Sequence, residues 1–122
     1  MLNLSSFQVV IVEDNPLLGG ILADLLDDRG ARIVSYASAD DALVGQLGAP
    51  KPDLLIADHL VPGQLKGADL VALLLSRWPG LPAIVTTGYG YGIGEGLPEG
   101  VVYLQKPWSI DALEAAIRQS LQ

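Results

Sequence analysis

Two hydrophobic patterns alternate along the chain. Short runs rich in β-branched and apolar residues are typical of strands buried within a parallel sheet, and five such runs occur. Between most of them, apolar residues recur every three or four positions, which predicts helices that each bury one face. This alternation predicts an α/β fold. The five predicted strands are residues 9–12, 32–36, 54–57, 83–87 and 101–104.

Polar residues and glycine mark the ends of the predicted helices. Asn15 and Pro16 predict the start of the first helix, because Asn caps helix N-termini and Pro is favoured at the first helical position. Gly30 is expected to close that helix, and Ser109 to cap the last one. The predicted helices cover about residues 15–30, 38–47, 68–78 and 109–121.

Strands and helices that follow each other in short units predict a flavodoxin-like, doubly wound parallel sheet of five strands in the order 2-1-3-4-5. The chain shows no internal repeat, linker or second domain, so residues 1–122 are expected to form one domain. The segment between the fourth and fifth strands departs from this pattern, because residues 88–96 alternate between glycine and other residues. An interior glycine costs a helix about 1 kcal/mol relative to alanine. We therefore predict that the fourth helix is short or is replaced by a mobile glycine-rich loop.

Composition narrows the class of protein. Half of the 122 residues are hydrophobic, 17% are charged and the mean hydropathy is +0.39, which fits a packed globule rather than a disordered chain.

No apolar run approaches the roughly 18 residues of a membrane span, and no signal peptide is visible, so we expect a cytoplasmic protein with no membrane partner. With no cysteine and one histidine, disulfides, thiol catalysis and multi-histidine metal sites are excluded. A net charge of −7 argues against direct nucleic-acid binding.

Charged and hydroxyl side chains lie at the carboxyl ends of four of the five predicted strands. Glu13 and Asp14 follow the first strand, Asp58 follows the third, Thr87 is the last residue of the fourth, and Lys106 follows the fifth. In the order 2-1-3-4-5, these four strands are neighbours, and ligands of open α/β sheets collect at the carboxyl ends of strands. The five side chains are therefore expected to converge at one edge of the sheet.

The chemistry of these groups indicates phosphoryl transfer. Three carboxylates in one pocket repel each other unless a cation is present, and oxygen ligands without sulfur select Mg²⁺. An Asp beside Mg²⁺ can act as a nucleophile towards a phosphoryl group, whose oxygens a hydroxyl and an ammonium would bind. Strand alternation sends Thr86 and Thr87 to opposite faces, and we assign the phosphate-binding hydroxyl to Thr87.

These motifs resemble the receiver domain of two-component response regulators. The similarity covers nearly the whole chain, from residue 9 to about residue 121. It rests on Glu13-Asp14, residues 53–58, Pro62-Gly63, Thr87-Gly88, Tyr103 and Lys106-Pro107.

The resemblance implies a role for each residue of a Mg²⁺ site. Asp58 is implied to be the phosphoacceptor and to contribute to metal binding. Asp14 and the backbone carbonyl of Leu60 would bind Mg²⁺ directly, and Glu13 would act mainly through water.

The resemblance also implies a switch. Thr87 would move to bond the phosphoryl group, and Lys106 would pair with it. Tyr103 would be the switch aromatic, and Pro107 would follow a cis peptide bond. Phosphorylation would pull Thr87 inward and bias the surface around Tyr103 towards an active packing.

By the same resemblance, the chain accepts a phosphoryl group on Asp58 from a sensor histidine kinase or a histidine phosphotransferase. It would signal by conformational change and promote only its own phosphorylation and dephosphorylation, so it is not expected to be an enzyme for a small substrate. A stand-alone receiver, a receiver from a hybrid kinase and a weak homodimer all remain open.

Some features depart from the family pattern. The loop between Asp58 and Gly67 is about one residue longer than usual, and Trp108 stands where Phe is common. Residues 82–89 partly match a receiver subgroup with the signature P-F-x-F-A-T-G-[GY]-Y, but Ala83 and Val85 replace its aromatic residues.

Two other functions are compatible with the same fold class. A pseudo-receiver that docks partners without phosphorylation is one, but the intact acid pair, threonine and lysine argue against it. The other is a small-ligand binder that uses the glycine- and tyrosine-rich loop. Residues 88–100 contain neither G-x-G-x-x-G nor G-x-x-x-x-G-K, which argues against nucleotide binding. His59, although it adjoins Asp58, is interpreted as a bystander.

Overall fold

The computed structural model describes residues 2–88 and 98–122, which contain five strands and four helices. The strands are β1 (Gln8–Val12), β2 (Arg32–Tyr36), β3 (Leu54–Asp58), β4 (Ala83–Thr87) and β5 (Val102–Gln105). The helices are α1 (Pro16–Asp27), α2 (Ala39–Leu47), α3 (Gly67–Arg77) and α4 (Ile110–Ser120).

All neighbouring strands pair in parallel, in the order β2-β1-β3-β4-β5. The predicted flavodoxin-like fold is therefore confirmed. Because the strands are parallel, the carboxyl ends of β1, β3, β4 and β5 lie side by side at one edge of the sheet. We call this edge the carboxyl edge.

The core consists of two apolar layers on opposite faces of the sheet. One layer packs strand residues such as Ile11 and Ile56 against α1 and α4, and the other packs Val10 and Leu55 against α2 and α3. Adjacent residues of a strand therefore enter different layers, which explains the continuous apolar runs at residues 9–12 of β1, 54–57 of β3 and 83–85 of β4.

The first helix begins and ends as the sequence predicts. Asn15 Oδ1 accepts hydrogen bonds from the N–H groups of Leu17 and Leu18 at 3.0 and 3.2 Å. The helix proper ends at Asp27, and its last turn closes through Gly30, which has φ +96°. The N–H of Gly30 donates to the Asp27 carbonyl, and the next N–H donates to the Leu26 carbonyl, as in a Schellman motif.

The prediction of a short or missing fourth helix falls on residues 89–97, which lie outside the described residues. Within residues 2–88 and 98–122, no helix is both long enough and apolar enough to cross a membrane.

Candidate functional site

Three carboxylates meet at the carboxyl edge. Glu13, Asp14 and Asp58 each place an oxygen so that the three atoms lie within 4.8 Å of one another. The side chains of Glu13 and Asp58 are only 5% and 7% exposed, whereas Asp14 is exposed. The cluster is therefore buried on one side and open to solvent at Asp14.

The sheet register brings this cluster together. Val12, the last residue of β1, pairs with Ala57 of β3. The residues that follow them, Glu13 and Asp58, therefore lie side by side. The backbone N–H of Glu13 donates to the Tyr36 carbonyl of β2 at 3.0 Å, which continues the ladder past the end of β1. Glu13 is thus held beside Asp58 by backbone pairing.

Lys106 enters the same cluster from the end of β5. Its Nζ lies 2.8 Å from Glu13 Oε1 and 3.1 Å from Asp58 Oδ2. Its backbone N–H donates to the Thr87 carbonyl at 2.7 Å, and the peptide bond to Pro107 is cis. One ammonium therefore bridges two nearly buried carboxylates.

At Glu13 and at Lys106 alike, burial and hydrogen bonding shift the pKa in opposite directions. Removal from water raises the pKa of Glu13 above its usual value, and hydrogen bonds from Lys106 and from the Asn15 N–H offset only part of that rise. Burial also acts to lower the pKa of Lys106, but hydrogen bonds to Glu13 and Asp58 outweigh it and hold that pKa above its usual range. Lys106 is therefore a cation at neutral pH.

The donor set fits a hard divalent cation. Three carboxylates against one ammonium leave an excess of negative charge, which favours a further cation. The three carboxylate oxygens lie within 4.8 Å of one another, close enough for one hard cation to be held by them directly or through water. Asp14, Asp58 and, through water, Glu13 could hold Mg²⁺.

Thr87 lies in β4, the strand next to β3, and Tyr103 lies in β5, one strand further from β3. Thr87 is the buried last residue of β4 and pairs with Gln105, while half-buried Tyr103 pairs with Val85. Asp58 is in register with Thr86, one residue before Thr87. The roles assigned to Thr87 and Tyr103 stay predictions.

Leu60 lies in the turn that follows β3. The turn is closed by the His59 carbonyl, which accepts hydrogen bonds from the N–H groups of Val61 at 3.2 Å and Gly67 at 3.0 Å. Leu60 is half exposed, and the role of its carbonyl as a metal ligand stays a prediction.

Two features near the site have no counterpart in the sequence analysis. Asp40 of α2 binds the backbone of the loop after β3 through both carboxylate oxygens. An acidic residue in the first turn of a helix is expected from the helix dipole alone, so the sequence carried no signal for this contact. His59 Nδ1 is buried and has no hydrogen-bond partner within the described part of the chain.

Comparison with known families shows which family has this fold. The family model of the response regulator receiver domain matches residues 9–118. The chain belongs to this family. It is a receiver domain of the kind that acts in two-component signalling.

Individual relatives agree with this assignment. The receiver is 35% identical over 109 residues to the response regulator protein FleR of Pseudomonas aeruginosa. The aligned region covers 87% of this chain and 23% of FleR. Its structure resembles the receiver domain of the hybrid histidine kinase CckA, with a TM-score of 0.75, 29% identity, and coverage of 94% of this chain and 99% of that one.

A further similar structure contains a metal ion. The receiver domain of the sensor histidine kinase PA1611 from Pseudomonas aeruginosa PAO1 has a magnesium ion coordinated in its active-site cleft. It matches this receiver with a TM-score of 0.81 and 19% identity over 96% of this chain and 98% of that one, so the likeness concerns the fold. The receiver spans about a quarter of the length of the curated relatives it matches first.

Proposed function

We propose that residues 1–122 act as one cytoplasmic receiver domain that accepts a phosphoryl group on Asp58 from a histidine kinase or a histidine phosphotransferase. Asp14, Asp58, the Leu60 carbonyl and, through water, Glu13 would hold Mg²⁺. The bound ion would neutralise charge on the phosphoryl oxygens. The receiver would promote only its own phosphorylation and dephosphorylation.

In the proposed transfer, a carboxylate oxygen of Asp58 attacks the phosphorus of a phosphohistidine. The P–N bond breaks as the new P–O bond forms, and the imidazole leaves with the electron pair and takes up a proton. Lys106 stabilises the added negative charge of the phosphoryl oxygens, together with the Thr87 hydroxyl. Hydrolysis of the acyl phosphate by water releases inorganic phosphate and restores the carboxylate.

The observation that carries this proposal is the contact of Lys106 Nζ with both Glu13 and Asp58 at 2.8 and 3.1 Å. A cation already lies beside the nucleophilic carboxylate, where a phosphoryl group would need one. A phosphorylation-independent docking module needs no such arrangement, so this alternative is not favoured.

Incubation with acetyl phosphate and MgCl₂ tests the proposal. We expect intact-protein mass spectrometry to detect one added phosphoryl group, and we expect its loss in Asp58→Asn or when EDTA replaces MgCl₂. Asp24→Asn is the matched control, because it removes the same charge at an exposed position on α1. It should be phosphorylated like the wild type. No adduct on the wild type would favour the docking module instead.

An apolar groove beside the site supports a protein as the phosphodonor. A cavity of about 690 Å³ is lined by Leu18, Ile21 and Leu25 of α1 and by Trp108 and Ile110, and Lys106 forms part of its wall. Because the donor imidazole must reach Asp58, which Lys106 contacts, the surface of the donor must cover this region. We propose that the phosphodonor domain docks in this groove.

Replacement of an exposed groove residue by a charged one tests the docking. Ile21→Glu is expected to slow phosphotransfer from autophosphorylated histidine kinases by at least about tenfold, while phosphorylation by acetyl phosphate is unchanged. Leu73→Glu on α3 is the matched control, because Leu73 is 44% and Ile21 46% exposed. Equal phosphotransfer to both variants would argue against docking at this groove.

A further inference from the structure

The loop between β3 and α3, residues 59–66, is tied to a helix far away in sequence. Asp40 lies in the first turn of α2. Its Oδ2 accepts the N–H of Gln64 at 3.0 Å, and its Oδ1 accepts the N–H of Leu65 at 2.8 Å. Two successive amides of the loop therefore point at one carboxylate.

The loop backbone also fits closely around this carboxylate. A Cβ at Gly63 would lie 2.6 Å from Asp40 Oδ2, and Gly63 has φ +101°, a conformation that side-chain-bearing residues rarely adopt. A glycine at this position lets the backbone approach the carboxylate. The two amide hydrogen bonds lower the pKa of Asp40, so it is ionised at neutral pH.

The same loop begins at the phosphorylation site. Its base is closed by the hydrogen bond from the Gly67 N–H to the His59 carbonyl, and His59 follows Asp58 directly. Lys66 Nζ reaches back to the Val61 carbonyl at 3.4 Å. Motion of the loop at Gln64 and Leu65 is thereby connected to the segment that contains Leu60.

We propose that Asp40 is a positioning residue that anchors the β3–α3 loop and thereby sets the position of the Leu60 carbonyl for cation binding. This inference rests on the proposed function, because it assigns Leu60 to the Mg²⁺ site. It makes α2 part of the support of the phosphorylation site, although Asp40 touches neither the cation nor the phosphoryl group. A longer loop has more conformations to lose on ordering, so it gains more from such an anchor.

An amide NMR titration of the full chain with MgCl₂ tests this role. Removal of residues that orient metal ligands typically weakens metal binding by about 10- to 100-fold. Asp40 contacts the loop that carries Leu60 and does not contact the metal ligand itself, so we expect the lower end of this range. Asp40→Ala should weaken Mg²⁺ binding by about tenfold and speed hydrogen exchange at the Gln64 and Leu65 amides. Asp40→Asn keeps one acceptor oxygen and should give an intermediate affinity.

Asp41→Ala is the matched control, because it removes the same charge from the same helical turn. It should bind Mg²⁺ like the wild type. Wild-type Mg²⁺ affinity in Asp40→Ala, whatever its stability, would overturn the inference, and so would an equal loss in Asp41→Ala. If Asp40→Ala does not fold, Asp40→Asn decides by the same criterion. Failure of the wild type itself to bind Mg²⁺ would overturn both this inference and the proposed function.

Discussion

At the scale of single residues, the charge balance of the site depends on Lys106. Its ammonium lies between Glu13 and Asp58, whose side chains are almost fully buried. Breaking a buried ion pair by removing one partner is expensive, because the remaining charge keeps its desolvation penalty and loses its compensation. In this receiver, two carboxylates would be left uncompensated.

Lys106→Ala is therefore expected to lower the free energy of unfolding by about 1–3 kcal/mol in the absence of Mg²⁺, less than for a fully buried pair because Lys106 is 21% exposed. Mg²⁺ should bind the variant more tightly than the wild type and restore part of the stability. Urea denaturation with and without MgCl₂ measures both effects. Lys51→Ala, at an exposed position, should change neither. A variant as stable as the wild type would show that the bridge contributes nothing.

The two adjacent threonines of β4 allow a second test at this scale. Both are buried, and the register places Thr86 opposite Asp58. If Thr87 supplies the hydroxyl for the phosphoryl group, Thr87→Ala should slow acyl phosphate formation by at least about tenfold, since one hydrogen-bond donor is lost. Thr86→Ala leaves a comparable small cavity and should react at nearly the wild-type rate. Rates with acetyl phosphate distinguish them, and the reverse order would assign the hydroxyl to Thr86.

At the scale of elements, the close approach of α3 to the end of β3 shapes the site. Gly67 is the first residue of α3, and a Cβ there would collide with the backbone carbonyl of Asp58. Backbone cannot move aside as the end of a flexible side chain can. The lack of a side chain at Gly67 therefore allows α3 to pack directly against the end of β3, the strand that carries the proposed nucleophile.

Gly67→Ala is expected to destabilise the receiver by about 1–3 kcal/mol, the usual penalty for an overpacked site. Gly20→Ala on α1 is the control, because an added Cβ would meet nothing within 4 Å beyond the neighbouring backbone of its own helix. That change should instead stabilise the receiver by about 0.5–1 kcal/mol through higher helix propensity. Urea denaturation of both variants measures the contrast. A neutral Gly67→Ala would mean that α3 shifts freely relative to β3.

At the scale of the whole molecule, the net charge of −7 and the acidic carboxyl edge link folding to cations. A ligand that binds only the folded state raises the free energy of unfolding, by about 2.7 kcal/mol at 100 times its dissociation constant. The unfolded chain does not hold Glu13, Asp14 and Asp58 together, so Mg²⁺ should bind it weakly.

We therefore expect saturating MgCl₂ to raise the melting temperature of the wild type and to have little effect on Asp14→Asn. Thermal denaturation over a series of MgCl₂ concentrations measures this, with KCl at matched ionic strength to account for general screening of the acidic surface. Asp24→Asn should respond like the wild type, since it lies outside the cluster. An equal gain from KCl would indicate screening without a specific site.

Much of the architecture could be predicted from the sequence. Apolar runs, caps and glycines act locally, so the strands, the Asn15 cap and the Gly30 turn follow from short stretches of chain. The convergence of Glu13, Asp58 and Lys106 was also predictable, because parallel strands necessarily bring their carboxyl ends to one edge.

Only the tertiary structure decided how these groups interact. Lys106 contacts both Glu13 and Asp58, a choice that depends on ångström-scale packing at the end of β5. Asp40 binds amides 24 and 25 residues away, which no local pattern encodes. Hydrophobic patterns specify which segments form buried strands and which face of a helix is buried, whereas hydrogen-bond partners across loops depend on how whole elements pack. The sequence by itself therefore determined the fold and the convergence of these side chains, and tertiary packing determined their contacts.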